Sequence, residues 1–252
     1  MKRVWILLLT VFLLLSLPAL ADDGMKIIAF SDAGLEKETD GVTFADGTLT
    51  ISQPGEYMLS GELTDGSLLV DTADQGKVTL YLNGVTVHTE GAAAILIGEC
   101  KPGVILSLVE GSENVLSNGA QAVTDEEEEP NGVIFSRSDL EIEGSGSLQV
   151  NAASGDGIVS KDELKIHGGK ITVDAKHHGI KGKDCVEIDG GEIVISAGRD
   201  GIKSTNKNDS ARGYIAIQGG SVSIRCGDDP LQFVTNCMIG NANITLAMKA
   251  EE

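Results

Sequence analysis

Apolar and polar residues alternate over the second half of the chain, in short runs separated by pairs of glycines. Around Gly168 and Gly169, the residues Ile166, Ile171 and Val173 each stand between polar neighbours. A period of two residues is typical of a β-strand with one buried face. No apolar recurrence at helical spacing accompanies this alternation, so the pattern predicts short strands. The equivalent positions further along are Ile188, Ile193, Ile195, Ile217, Val222 and Ile224.

The alternation belongs to a repeat that occurs three times. Residues 157–178 and 179–200 form two units of 22 residues, and residues 201–229 repeat them with seven extra residues between Ser204 and Tyr214. A fixed period of this length is the signature of a solenoid. Short strands with glycine corners fit the rungs of a parallel β-helix, which stack about 4.8 Å apart. We therefore predict an all-β fold in which each inward side chain lies on its counterpart from the rung below.

The first 21 residues have the features of a signal peptide. Lys2 and Arg3 precede an apolar run, and Ala19-Leu20-Ala21 matches the small-x-small cleavage pattern. This mainly apolar run of 14 residues, 4–17, is short for a membrane span, which needs about 20. We expect a secreted, extracellular or cell-surface protein with no membrane association after cleavage.

The remaining chain divides into a cap and a solenoid. Residues 22–47 are polar and weakly patterned, and we expect them to cap the first rung, because an open rung exposes unpaired backbone groups. Residues 48–252 are predicted to form the β-helix. The acidic run 125–129 ends at Pro130, and its like charges predict a solvent loop at a corner.

The charge balance bears on the partners. With 38 acidic and 19 basic residues, the chain has a formal net charge of −19. Such an excess repels phosphate and anionic lipid, so nucleic acid is not an expected partner. It favours cations, although many of the acids simply keep an edge-rich β protein soluble. The protein is expected to be a monomer.

Acidic residues recur at one place in the repeat, directly before the Gly-Ile corner or the position that corresponds to it after the third unit. Alignment on this corner stacks Asp156, His178, Asp200 and Asp229 in one column, with Asp228 beside the last. Carboxylates about 5 Å apart do not both stay ionised cheaply without a cation. The column therefore predicts a calcium site, with a solvated acidic corner as the alternative.

The insertion in the third unit adds further oxygen ligands to this prediction. We expect the inserted residues to reach the same edge as the column, which would place Asn206, Asn208 and Asp209 there. Carboxylate and amide oxygens suit Ca²⁺, which takes six to eight such ligands. The predicted metal ligands are Asp156, Asp200, Asn206, Asp209, Asp228 and Asp229.

Two long segments, SDLEIEGSGSL and AGRDGIKSTNKNDSARGYIAIQGG, carry a resemblance. Together with the glycine-punctuated strands before them, they make residues 48–246 similar to the secreted bacterial carbohydrate-binding domain family, right-handed parallel β-helices related to a clostridial cellulose- and pectin-binding protein. The resemblance implies calcium in the rungs, polysaccharide as ligand, and a fold and calcium site like those of pectate lyases. His178 departs from the pattern, since the repeat otherwise places an acid there.

The mode of sugar binding stays open at this point. The only tryptophan, Trp5, lies in the signal segment, so stacking of sugar rings on indole is not available to the mature chain. One alternative is calcium-bridged recognition of a uronate polymer at Asp200 and Asp229. The other is hydrogen bonding of an extended neutral chain, such as cellulose, along a flat face of the solenoid.

Three function classes follow. The preferred one is a non-catalytic, calcium-dependent polysaccharide-binding protein. The runner-up is a pectate-lyase-like enzyme, in which Lys203 or Lys181, two residues after their Gly-Ile corners, would act as base. Neighbouring carboxylates favour the charged form of lysine, which argues against that role. The third class is a structural surface or matrix protein that calcium only rigidifies.

The cysteines and the adjacent histidines are assigned structural roles. Two disulfides would be usual for four cysteines in an exported chain. However, Cys226 aligns with Ala197 and Cys237 with Val186, so they fall in different columns, and we expect buried free thiols. His177 and His178 would face opposite ways on a strand and do not form a zinc pair.

Overall fold

The structure, a computed structural model, describes residues 24–74, 76–121 and 129–249. The predicted signal peptide and residues 125–128 of the acidic run lie outside these ranges. Within them the chain forms 25 strands and no helix, and accordingly no helix there is long and apolar enough to cross a membrane. The strands are β1 (Lys26–Ser31), β2 (Gly34–Leu35), β3 (Val42–Ala45), β4 (Thr48–Ile51), β5 (Gly55–Leu63), β6 (Ser67–Val70), β7 (Val78–Thr89), β8 (Ile95–Ile97), β9 (Val104–Leu108), β10 (Glu113–Asn118), β11 (Gly132–Ser136), β12 (Leu140–Gly144), β13 (Ser147–Ala152), β14 (Asp156–Ser160), β15 (Glu163–Ile166), β16 (Lys170–Ala175), β17 (Ile180–Gly182), β18 (Cys185–Ile188), β19 (Glu192–Ala197), β20 (Ile202–Ser204), β21 (Tyr214–Ile217), β22 (Ser221–Cys226), β23 (Leu231–Gln232), β24 (Cys237–Ile239) and β25 (Asn243–Met248).

The strands form the three faces of a parallel β-helix, as the repeat predicts. Face A consists of β9, β12, β15, β18, β21 and β24, face B of β10, β13, β16, β19, β22 and β25, and face C of β4, β6, β8, β11, β14, β17, β20 and β23. Each rung crosses face B, then face C, then face A. The long strand β7 belongs to both A and B: its first half pairs with β9 and its second half with β10, with Gly84 at a φ of 81° between them.

Inward side chains stack in register along the solenoid. On face B, Val150, Val173, Ile195, Ile224 and Leu246 form one such ladder. Except for Leu246, these side chains are at most 1% exposed. All nine apolar positions that the alternation identifies are buried. Burial of each aliphatic side chain stabilises the fold by about 1.5–3 kcal/mol relative to its exposure.

The Gly-Gly corners bend where the sequence predicts. The second glycine of each pair, Gly169, Gly191 and Gly220, has a φ of 90°, 92° and 79° respectively. A side chain with a Cβ is strained in that region, so the pairs mark the turn from face A to face B. This turn brings β16, β19 and β22 into register.

Residues 24–47, the expected cap region, contain β1 to β3. β1 extends the sheet as a parallel strand on β5, whereas β3 runs antiparallel to β4 at the end of face C. The antiparallel strand interrupts the parallel stacking at this end of the solenoid.

The four cysteines lie in the described ranges and have free thiols. Cys226 stacks on Ala197, and Cys237 lies on Ile215, which in turn lies on Val186. The column assignments made from the sequence are thus confirmed. Burial raises the pKa of the Cys185 thiol to about 11, so this sulfur is a packing group rather than a nucleophile.

Candidate functional site at the corner between faces B and C

The predicted column of polar residues lies at the corner where each rung passes from face B to face C. Parallel pairing of Ile158, Ile180, Ile202 and Leu231 puts the residues two positions earlier in line. Asp156, His178 and Asp200 are at most 3% exposed, whereas Asp229 is exposed. The stacking inferred from the repeat is confirmed.

Asp156, His178 and Asp200 each accept a hydrogen bond from the backbone of the next rung. The N–H of His178 donates to Asp156 Oδ1 at 3.0 Å, that of Asp200 to His178 Nδ1 at 3.2 Å, and that of Asp229 to Asp200 Oδ1 at 3.1 Å. A buried backbone N–H needs an acceptor, and these side chains supply one at every step. We call this arrangement the acceptor ladder.

The acceptor ladder explains why a histidine can stand where the repeat otherwise has an acid. The position requires an acceptor atom within hydrogen-bond distance of the backbone N–H in the next rung, and it does not require a negative charge. Nδ1 of a neutral imidazole is such an acceptor. His178 therefore preserves the ladder while removing one buried charge from between Asp156 and Asp200.

At neutral pH, His178 is uncharged in the folded protein. Burial lowers its pKa from 6.5 to about 4, and the Lys203 ammonium, 3.3 Å from Nε2, acts in the same direction. Nδ1 also lies 3.1 Å from Asp200 Oδ2, a distance that would suit an ion pair. Because the ring is uncharged, this contact is not an ion pair, and Nδ1 serves as the acceptor for the Asp200 N–H.

Acidification should therefore destabilise the protein through His178. The unfolded chain binds a proton near pH 6.5 and the folded one only near 4, so stability falls as the pH drops through this window. The loss amounts to up to about 3 kcal/mol. Urea unfolding at pH 7, 5.5 and 4.5 measures it, and His178→Asn, which keeps an acceptor, should flatten the profile relative to wild type. His88→Asn, at a half-buried histidine, is the control, and an unchanged profile in His178→Asn would contradict the assignment.

Two lysines neutralise the buried carboxylates of the ladder. Lys203 Nζ lies 3.0 Å from Asp200 Oδ2, and Lys181 Nζ lies 3.5 Å from Asp156 Oδ2. The two lysines are themselves stacked one rung apart on β17 and β20. Burial raises the pKa of Asp156 and outweighs the opposing effect of Lys181. The cation expected beside these carboxylates is thus supplied, at both rungs, by the chain's own ammonium groups.

The exposed end of the column opens into a shallow pocket of about 480 Å³. Asp200, Asp228 and Asp229 line it together with Lys203 and Arg199. Asp228 and Asp229 are exposed, so water can solvate both carboxylates. Three of the six predicted metal ligands therefore meet here, beside two basic side chains.

The structure places Asn206 and Asp209 at a different corner, between faces C and A. Asn206 Nδ2 donates to Asp184 Oδ1 at 2.5 Å, and Asn206 Oδ1 accepts the Asp209 N–H at 3.1 Å. Arg212 pairs with the buried Asp184 and, at 3.4 Å, with Asp209. The expectation that the insertion reaches the same edge as the column is wrong, because its polar groups close on Asp184 instead.

Asp184 and Arg212 are the polar partners that the sequence reasoning missed. A signal for Asp184 was present, since Lys161-Asp162 and Lys183-Asp184 repeat 22 residues apart. Arg212 carried no such signal, because it belongs to the part of the insertion that has no counterpart in the other units.

The six predicted ligands do not fit one calcium centre. Asp156 and Asp200 are already paired with lysines, and Asn206 and Asp209 face another corner. Within the described ranges, no three histidine, cysteine or acidic side chains lie close enough together to form a metal centre. What the pocket offers a cation is the exposed pair Asp228 and Asp229 next to Asp200.

Comparison with known proteins agrees with this architecture. The family model described as "Carbohydrate-binding domain-containing protein" matches residues 45–252. The chain belongs to this carbohydrate-binding domain family. A relative with the same description from Acetivibrio thermocellus is 40% identical over 233 residues, which is 92% of this chain and 81% of the relative.

A solved structure shares the fold of the chain described here. It is the gadolinium derivative of a polysaccharide lyase-like protein from C. thermocellum, with a TM-score of 0.77 and 33% identity. The match covers 88% of this chain and 96% of that one. The parallel β-helix and the resemblance identified from the sequence are both confirmed.

Proposed function

We propose that the protein is secreted and non-catalytic and that it binds plant cell-wall polysaccharides. We further propose that calcium strengthens its binding to acidic polysaccharides. Membership of the carbohydrate-binding domain family carries the polysaccharide part of this proposal. Export rests on the features of residues 1–21.

The pairing of the lysines supports a non-catalytic role. A lyase base has to be unprotonated and within reach of a substrate C–H. Lys203 and Lys181 instead each pair with a buried carboxylate of the acceptor ladder, at 3.0 and 3.5 Å. Their side chains are only 21% exposed. Both therefore fit the role of counter-ion to the acceptor ladder better than that of base.

Calcium is proposed at the rim of the pocket, where Asp228 and Asp229 adjoin Asp200. Two exposed carboxylates leave most of the six to eight ligand positions to water and to the polymer. A cation held this way would bind weakly alone, in the range of about 10⁻⁴–10⁻³ M that extracellular modules show.

Sedimentation with insoluble cellulose and with a polygalacturonate gel tests the proposal. We expect the chain from residue 22 onward to bind both, and a chelator to weaken only the binding to polygalacturonate, by threefold or more. Asp228→Asn combined with Asp229→Asn should have the effect of the chelator, because it removes the two exposed charges. Asp209→Asn, an acid at the other corner, is the matched control. Binding to neither polymer would refute the proposal and favour a structural surface or matrix protein.

A lyase is the second candidate, because the related solved structure is described as polysaccharide lyase-like. The same polygalacturonate incubations distinguish it from a binder. A calcium-dependent rise in ultraviolet absorbance, from unsaturated product, that disappears in Lys203→Ala would overturn the non-catalytic assignment. We expect no rise from neutral to alkaline pH.

A further inference from the structure

The outward side of face B carries a strip of uncharged side chains along the solenoid. Its middle column runs through seven successive in-register strands, from β7 to β25. We call this column the face B strip. Its members are Thr86, Val115, Gln149, Thr172, Val194, Ser223 and Thr245.

The absence of charge on the strip stands out in a chain with a net charge of −19. In the two outward columns of face B that flank the strip, acidic and basic residues nearly balance. The acidic residues are Glu113, Asp174 and Glu192, and the basic ones are Lys170 and Arg225. The strip and its two flanking columns together are therefore close to neutral. Such a surface does not repel an acidic polymer strongly, and it matches a polymer that has no charge.

The strip is regular, because its members lie in register from one rung to the next. Six steps between strands of about 4.8 Å give it a length of about 29 Å. Apart from Gln149 the side chains are short, and Gln149, Thr172, Val194 and Thr245 are exposed, Val194 by 42%. Methyl groups of valine and threonine alternate with hydroxyl and amide groups, so the strip offers both apolar contact and hydrogen bonds at a fixed spacing.

Among the residues that the structure describes, the other two faces do not offer such a surface. On face A the corresponding outward column contains Glu141, Lys165 and Glu187, and Lys165 pairs with Glu163 at 2.6 Å. On face C the outward side chains of β11 and β14, Phe135 and Val159, are at most 1% exposed. The next rungs of face C present the two lysines already paired with the acceptor ladder.

We infer that the face B strip binds an extended, uncharged polysaccharide such as cellulose, with the polymer running along the solenoid axis. This inference rests on the proposed function and names its binding surface. Sugar rings in an extended chain present a flat C–H side and lateral hydroxyls, which suit methyl groups flanked by Ser, Thr, Asn and Gln. The axial direction is favoured because the strip runs across the strands. A polymer parallel to a strand would leave the strip after a short distance and would then cross the charged columns beside it.

Paired substitutions test the strip. Thr172→Arg combined with Val194→Arg puts two long cations next to each other in its middle, and we expect at least a tenfold loss of affinity for insoluble cellulose. Both sites are exposed, so the fold should be retained, as circular dichroism and the melting temperature will show. Thr43→Arg, at an exposed threonine on β3, is the matched control. If the arginine pair disturbs folding, Gln149→Ala combined with Thr172→Ala replaces it and should weaken binding at least threefold.

The outcomes separate this inference from the proposed function. Asp209→Asn should leave cellulose binding unchanged, because Asp209 lies at the corner between faces C and A and not on the strip. If wild type binds cellulose and the folded strip variants bind equally well, the inference is wrong and the proposed function stands. An equal loss in Thr43→Arg would attribute the effect to added charge in general and would also overturn the inference. If wild type binds neither cellulose nor polygalacturonate, both fail together.

Discussion

Asp200→Ala is expected to destabilise the protein by about 3 kcal/mol, because it breaks a buried charge pair and leaves Lys203 uncompensated. The Asp200 side chain is 3% exposed, and besides pairing with Lys203 it accepts the Asp229 N–H. Its loss therefore removes an acceptor as well as a charge. Equilibrium unfolding in urea at pH 7 measures the change, with Asp228→Ala as the exposed control, where we expect less than about 0.5 kcal/mol.

Asp200→Asn separates the two contributions. The amide oxygen can still accept the Asp229 N–H, whereas the charge that faces Lys203 is gone. We expect a loss between those of the alanine variant and the control. If Asp200→Ala and Asp228→Ala cost the same, the acceptor ladder contributes nothing measurable to stability, and the corner is simply an acidic surface.

Gly198→Ala is expected to cost about 3 kcal/mol, at the upper end of what overpacking usually costs. A Cβ at this position would lie 1.9 Å from the carbonyl oxygen of Lys176 in the rung below. Neither backbone can retreat, since the Gly198 N–H donates to Ala175 O at 2.9 Å and holds the two rungs together. The free energy of unfolding in urea is again the measurement.

Gly111→Ala provides the comparison for Gly198→Ala. Gly111 has a φ of 74°, and a Cβ added there would meet no atom of the described residues within 4 Å. Its substitution therefore costs only the strain of a left-handed backbone, about 1–2 kcal/mol. A smaller loss at Gly198 than at Gly111 would show that the rungs can separate at this corner, contrary to the packing described above.

The repeat was sufficient to predict the fold and the polar column. A strand with one buried face has a period of two, and stacked rungs of 22 residues force equivalent positions into line. For this reason Ile171, Ile193 and Val222 form one ladder, and Asp156, His178 and Asp200 another. Residues that share the period needed no tertiary information to be placed correctly.

Tertiary structure decided everything that departs from the period. The insertion after Ser204 has no counterpart in the other rungs, so nothing in the repeat determines its direction, and it closes on Asp184 through Asn206 and Arg212. The side chains of Lys181 and Lys203 are long enough to reach several groups, and only the packed corner shows that they pair with the column. The charge state of His178 likewise depends on its burial. Local pattern determines which residues stack, whereas long side chains and irregular loops find their partners only when the chain is folded.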